Sequence, residues 1–300
     1  MKSGSDSRLH LDGDTTVYTG QFLLRPDPET NNAVVYCLAV AAQRCEVDVL
    51  DFVQMSNHLH EVIFDRRGNA PAFYEHFHRL LAKCMNALRG RWENFFSSEQ
   101  VCVVRLETPS DMIDKLVYVA TNPIEAGLVA RFDEWPGATG YRALMTGHPM
   151  RATRPRHFFS DEGTMPEEVT LHCTIPPERS DRDQVLAQVR AGVAAVEERE
   201  ARKRAETGRS VLGRFAVLRQ SWRDSPTSRE PRRTLRPTIA ARNLWVRLEA
   251  LQRKREFAEA YRKARQALVL GTLILFPYGT YWFQRFLGVA VETAAPEKTN

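Results

Sequence analysis

The stretch Met55-Ser56-Asn57-His58-Leu59-His60 lies between two apolar runs, Val47 to Met55 and Val62-Ile63-Phe64. Residues two apart on a strand share a face. A strand from His58 therefore presents two imidazoles side by side, with Leu59 turned away. Two neutral imidazoles so placed can share one divalent ion, which then needs an oxygen ligand and a nucleophile. By itself an H-x-H pair is more often two unrelated histidines on a solvated strand, so the rest of the chain decides.

Val47 to Val53 reads as the second strand and His58 to Phe64 as the third, with a turn at Asp65 to Asn69. Upstream, residues 1 to 16 are polar and are expected to form a flexible N-terminus. Val17 to Leu24 is expected as the first strand, ended by Pro26 and Pro28. Thr30-Asn31-Asn32 offer caps for a helix from Ala33 to Arg44. Downstream, Pro71 opens a helix whose buried stripe is Phe73, Phe77, Leu80, Leu81, Cys84, Met85 and Leu88, apolar at spacings of three and four. Val101 to Leu106 makes a fourth strand. A helix from Thr108 or Ser110 runs to Asn122, with Pro123 as its limit, and Trp135-Pro136 and Tyr141 read as a closing turn. This order predicts an α+β domain over residues 17–149, with a ferredoxin-like antiparallel sheet and helices packed on one face.

Residues 150–182 are rich in Pro, Gly and charge and read as a linker, with a short strand near Val169-Thr170-Leu171. Residues 183–300 read as a mostly helical, basic extension. Val185, Val189, Val193 and Val196 mark one helix, ended by Gly208. A short helix is expected over Val211 to Trp222, a basic loop over Pro226 to Pro237, and another helix through Leu244, Leu248 and Leu251 towards Tyr261. The aromatic end, Phe276 to Phe286, is expected to fold back onto the body. No regular internal repeat is present.

The 300 residues can bury a substantial core and hold one large domain or two smaller ones. The formal charge of +5 favours an anionic partner. That charge is concentrated: residues 201–265 hold 19 Lys or Arg against 6 Asp or Glu. Five cysteines without C-x-x-C spacing read as reduced thiols of a cytoplasmic protein. No secretory signal pattern opens the chain. The apolar run Ala267 to Phe276 is too short to cross a bilayer and is expected to be buried, so no membrane partner is expected. G-x-x-x-x-G-K-[ST] is absent, which argues against an ATPase in this chain.

Tyr118 and Asn122 are four apart on the helix after the fourth strand and so share a face. A tyrosine hydroxyl can attack a phosphodiester when a metal orients it and draws off its charge, and the Asn122 amide oxygen can add a third ligand to His58 and His60. Taken singly, Tyr118 is more often a core aromatic and Asn122 a residue that satisfies backbone groups at a helix end.

Together, Met55-Ser56-Asn57-His58-Leu59-His60, Tyr118-Val119-Ala120-Thr121-Asn122-Pro123-Ile124-Glu125-Ala126-Gly127-Leu128-Val129 and Trp135-Pro136 resemble the IS200-like transposase family, nearest its REP-associated tyrosine transposase branch. The resemblance covers roughly residues 17–142. It implies an HUH-type nuclease in which His58, His60 and Asn122 bind Mg²⁺ or Mn²⁺. Tyr118 would then attack single-stranded DNA near a hairpin, leaving a 5′-phosphotyrosine and a free 3′-hydroxyl. It also implies a nucleoid-associated protein, acting either as a homodimer that exchanges the tyrosine helix or as a monomer. Two positions depart from the family pattern. Ser56 stands where proline is commoner, and Glu61 stands at a usually apolar position, facing away from the metal and expected to be exposed or paired with an arginine.

Single-stranded DNA needs positive charge and flat groups. The first domain offers Arg66, Arg67, Arg79, Lys83, Arg89, Arg91 and Trp92. The second half offers Arg202-Lys203-Arg204, Arg232-Arg233 and Arg253-Lys254-Arg255, suited to a hairpin stem. His78 reads as a surface histidine of its helix rather than a general base. Two rival readings are a non-catalytic hairpin-binding regulator derived from a transposase, and a replication or mobilisation initiator nickase.

Overall fold

The computed structural model describes residues 9–16, 20–96, 102–176, 181–227 and 237–293. Strand β1 (Leu9–Thr16) is followed by α1 (Pro28–Cys45), β2 (Val47–Gln54), β3 (His58–Asp65), α2 (Ala70–Arg89), β4 (Cys102–Leu106) and α3 (Pro109–Glu125). The sheet order is β2-β3-β1-β4, with every one of these neighbours antiparallel. A two-residue β7 (Ile239–Ala240) adds to β4 in parallel. The molecule is α+β, with α1 packed on α2 and α3 packed on β2 and β3.

The first strand lies eight residues earlier than expected. Leu9–Thr16, taken from sequence as flexible, pairs with both β3 and β4 at the middle of the sheet. The expected strand from Val17 to Leu24 is corrected: residues 17–19 are outside the described residues, and Gly20 to Leu24 form a loop that holds no strand. Helix α1 begins at Pro28, not Ala33, because the Asp27 side chain accepts from the Thr30 amide and Pro28 takes the first turn. Pro123 does not end α3. The helix runs through it to Glu125, and the Pro123 carbonyl accepts from Leu128 beyond the helix end.

The expected linker is also corrected, because it folds onto the first domain. Strands β5 (Met150–Thr153) and β6 (Glu168–Leu171) form a hairpin against α1, and Cys173 bridges to Val49 of β2. Arg154, nearly buried, holds this charged stretch together through Glu167 at 2.7 Å and Asp161 at 3.6 Å. The closing turn carries a short helix α4 (Tyr141–Thr146), and Trp135 Nε1 donates to the Gln54 carbonyl at 3.0 Å.

Helix α5 (Arg182–Thr207) buries Val185, Val189, Val193 and Val196, as its spacing predicts. It lies so close to α3 that a Cβ on Gly192 would stand 2.5 Å from a methyl of Val117. Gly192→Ala is therefore expected to push the two helices apart and destabilise the fold by about 1–3 kcal/mol. Chemical denaturation checks this, and a wild-type midpoint would contradict the packing.

Helix α6 (Arg214–Arg219) is shorter than expected and α7 (Leu244–Val269) longer. The apolar run Ala267 to Phe276, expected to be buried, is largely exposed: Val269, Leu270, Leu273 and Leu275 face solvent, and Phe276 is buried. Phe276 stacks with Phe283 of α8 (Tyr281–Leu287) and meets Tyr261 of α7 edge-on. The aromatic end does fold back, since the Tyr281 ring occupies the space a side chain on Gly68 would need, and Arg285 donates to Asn69 Oδ1. Trp282 and Phe286 stay exposed. All five cysteines are free thiols, and among the described residues no helix is long and apolar enough to cross a membrane.

One core group stands out. Asp51 follows the irregularity in the β2–β3 pairing and is fully buried. Its Oδ1 accepts from the Phe52 amide at 2.7 Å, while among the described residues Oδ2 has no hydrogen-bond partner. Burial pushes its carboxyl well above the usual range. Below the unfolded pKa near 3.8 both states hold the neutral acid. Above it the unfolded chain ionises first, so stability falls as pH rises towards the folded pKa. Asp51→Asn is thus expected to raise the melting temperature at pH 8 by about 2–4 °C, the shift that ~1 kcal/mol produces. The gain should vanish near pH 4, and equal melting of both proteins at both pH values would contradict a buried neutral Asp51.

Candidate active site

Strand β3 turns His58 and His60 to the face that meets α3. Their rings lie 4.9 Å apart, centre to centre, and nearly perpendicular. His58 is half-buried and donates from Nδ1 to Asn57 Oδ1 at 2.7 Å, which leaves its lone pair on Nε2. Asn57 Nδ2 donates to the Gly20 carbonyl at 3.3 Å, which leaves its Oδ1 to face His58. His60 is 4% exposed. Burial first, and the nearby Lys115 charge second, lower its pKa to about 3, so the ring is neutral near pH 7.

Helix α3 supplies the other half. A reciprocal capping box between Thr108 and Asp111 starts it, with Pro109 in the first turn. Met112, Leu116, Val119, Ala120 and Pro123 bury one stripe. Lys115, Tyr118 and Asn122, spaced by three and four, form the neighbouring stripe over β3. The Tyr118 ring lies 5.3 Å from that of His60, edge-on, and is 37% exposed. Asn122 Nδ2 approaches His60 Nε2 at 3.2 Å, though the two residues are 62 apart in the chain. The four residues chosen from sequence are therefore neighbours in space, with the phenol on the open side and His60 on the dry side.

Lys115 and Asn57 are site residues that spacing did not single out. The Lys115 ammonium sits 4.8 Å from the centre of the Tyr118 ring. Its position three residues before the tyrosine was the available signal. For Asn57 the signal was adjacency to His58. Glu61 is buried, not exposed, and strand alternation turns it to the other face of the sheet. His78 is no surface histidine either. Its ring lies among Tyr74, Phe77 and Phe96, and burial lowers its pKa to about 4.

The predicted basic residues divide. Arg66 pairs with Asp48 at 2.6 Å and Arg67 with Glu46 at 2.8 Å. Both follow the far end of β3, about 20 Å along the strand from His60, so the structure does not bring them to the site. Arg79 pairs with Glu75, Arg89 with Asp27, Arg202 with Glu198, Lys203 with Glu200 and Arg253 with Glu107. Lys83, Lys254 and Arg255 are exposed and Arg204 is half-buried. Arg232 and Arg233 lie outside the described residues. Arg91 donates to Gln21 Oε1 at 2.7 Å, in the loop whose Gly20 carbonyl accepts from Asn57, and Trp92 beside it is 97% exposed.

The donor set of the site suits a divalent ion. Two imidazoles with unprotonated nitrogens converge with an amide whose oxygen and nitrogen exchange places on a half-turn. Among the described residues no group of three His, Cys, Asp or Glu side chains could hold a metal; beside the two imidazoles, the Asn122 amide offers an oxygen donor.

No family model matches the chain, and no curated protein matches it either. Among solved structures, a REP-associated tyrosine transposase bound to a REP hairpin shows a weak likeness. It covers 55% of this chain and 92% of that one at 12% identity, with a TM-score of 0.38.

Proposed function

We propose that the chain is a metal-dependent single-stranded DNA endonuclease and strand transferase of the tyrosine transposase kind. The observation that carries this reading is the meeting of His58, His60, Tyr118 and Asn122 around one spot, with the phenol accessible from solvent. The connectivity β1-α1-β2-β3-α2-β4 with sheet order β2-β3-β1-β4 supports the ferredoxin-like form of the α+β fold.

His58, His60 and Asn122 would hold the ion, and two nitrogen ligands favour Mn²⁺ over the oxygen-seeking Mg²⁺. A bound divalent ion supplies charge withdrawal and orientation at a nonbridging oxygen of the scissile phosphate. Tyr118 Oη attacks phosphorus. Its O–P bond forms as the P–O3′ bond breaks, the phenolic proton leaves, and the 3′ oxygen takes one up. The DNA is then held through its 5′ phosphate, and a 3′-hydroxyl can reverse the step to join strands without ATP. Lys115 beside the phenol favours the negative charge that gathers there. Asn57 keeps His58 in the tautomer that can ligate.

The test is incubation of the protein with a labelled single-stranded hairpin and Mn²⁺, followed by a denaturing gel. A band carrying both protein and DNA is expected. Its absence with a folded, Mn²⁺-loaded protein would leave a non-catalytic nucleic-acid binder.

A further inference from the structure

The segment from Arg209 to Arg223 contains Arg209, Arg214, Arg219 and Arg223 and no acidic residue. All four arginines are exposed, and among the described residues none is in an ion pair, in contrast to Arg66, Arg67, Arg202, Lys203 and Arg253. Apolar groups stand out between them, with Phe215 74% exposed and Leu212 also facing solvent. Both ends are tied to the segments that carry the site. At one end the Leu212 and Gly213 amides donate to the Gly127 and Leu128 carbonyls, just past Asn122 on α3. At the other end Gln21 donates to the Arg223 carbonyl, and the Phe22 amide donates to that of Asp224. That loop in turn is bound to Ser56 and Asn57, next to His58. Gln21 also receives Arg91, which brings the exposed Trp92 to the Arg223 end.

We propose that residues 209–223, with Trp92, form the track on which the single strand flanking the cleavage point lies, as a strap strung from the end of the tyrosine helix to the loop beside the histidine strand. The inference rests on the nuclease reading for its purpose, and on unneutralised charge and exposed flat groups for its substance. Phosphates need cations not already satisfied by carboxylates, and unstacked bases need faces to lie on. Val217, fully buried, pins α6 to the core so that the arginines are displayed from a fixed backbone. The anchoring of both ends makes the strap the border of the site rather than a remote appendage.

The test is binding of fluorescent oligo-dT without divalent metal, using Tyr118→Phe protein so that no cleavage intervenes. Changing Arg209, Arg214, Arg219 and Arg223 together to Gln should weaken binding about tenfold or more and flatten the slope of log affinity against log salt by about 3, since each single-strand phosphate contributes about 0.7. The same four positions changed to Lys should keep the slope. Trp92→Ala should weaken binding about fivefold with the slope unchanged. If the Gln protein unfolds, the pairs Arg209/Arg219 and Arg214/Arg223 are changed separately, and each should flatten the slope by about 1.4, half of that change. Full affinity and slope in folded Gln variants overturn the strap. Loss of slope in a wild-type background that forms no covalent adduct would keep the strap and remove only the nuclease reading.

Discussion

Tyr118→Phe is expected to abolish covalent attachment to single-stranded DNA, a loss of about 10³-fold or more, as follows when a group used only in the transition state is removed. The substitution takes away one oxygen and keeps the ring. The edge-on contact with His60 and the position under the Lys115 ammonium survive. Stability should therefore stay within about 0.5 kcal/mol of wild type, as for most partly exposed changes. DNA affinity should hardly move, since in the proposed reaction the phenol forms a bond to phosphorus rather than a binding contact. Adduct formation on a denaturing gel and affinity by anisotropy read the two effects separately. Equal adduct in both proteins would show that another residue is the nucleophile.

The second large effect is expected at His60. His60→Ala removes a buried ring that meets His58, Tyr118 and Asn122 at once. Mn²⁺ affinity should fall by more than about 100-fold, beyond the 10–100-fold usual for loss of a residue that only orients a ligand. Asn57→Ala provides the graded comparison. It leaves all three donors and removes the hydrogen bond to His58 Nδ1, so its loss should lie inside that 10–100-fold range. Titration calorimetry with Mn²⁺ reads both. Unchanged affinity in His60→Ala would show that the two imidazoles do not share an ion, and a larger loss at Asn57 than at His60 would reverse their roles.

The parts of the molecule legible in the sequence are those whose periodicity reflects one-sided burial. Strands β2 and β3, helix α2 and the stripe of α5 lie within a few residues of expectation, because their apolar residues recur at two or at three and four. The proximity of the four candidate residues was legible in part for the same reason: two histidines share one strand face and Tyr118 and Asn122 one helix face by local geometry, while the meeting of strand and helix was expected from the family resemblance. Strand β1 was not. Leu9 to Thr16 contains two aspartates and a glycine, and what makes it a strand is backbone pairing on both sides. The hairpin β5–β6 was hidden by Pro and charge, because the Arg154 ion pairs that offset that composition are visible only in three dimensions. The run from Ala267 to Phe276 misled in the opposite sense, since hydrophobicity alone does not supply a partner surface.

Charge was the least legible feature. A cluster such as Arg202-Lys203-Arg204 stands out in the chain, yet Arg202 and Lys203 are matched by Glu198 and Glu200 of their own helix. The arginines from Arg209 to Arg223 are spaced four or five apart and draw no attention as a run. Neutralisation depends on which carboxylates the fold brings near, and spacing does not encode that.

In the proposed reaction the Tyr118 phenol, set against two imidazoles and an amide, becomes joined to DNA. Mass spectrometry of the protein digested after reaction with a single-stranded hairpin in Mn²⁺ measures this directly. The expected result is a peptide containing Tyr118 that carries a 5′-linked nucleotide, matched by a released strand ending in a 3′-hydroxyl. Nucleotide on any other residue, or cleaved DNA with unmodified Tyr118 and no adduct at early times, would contradict it.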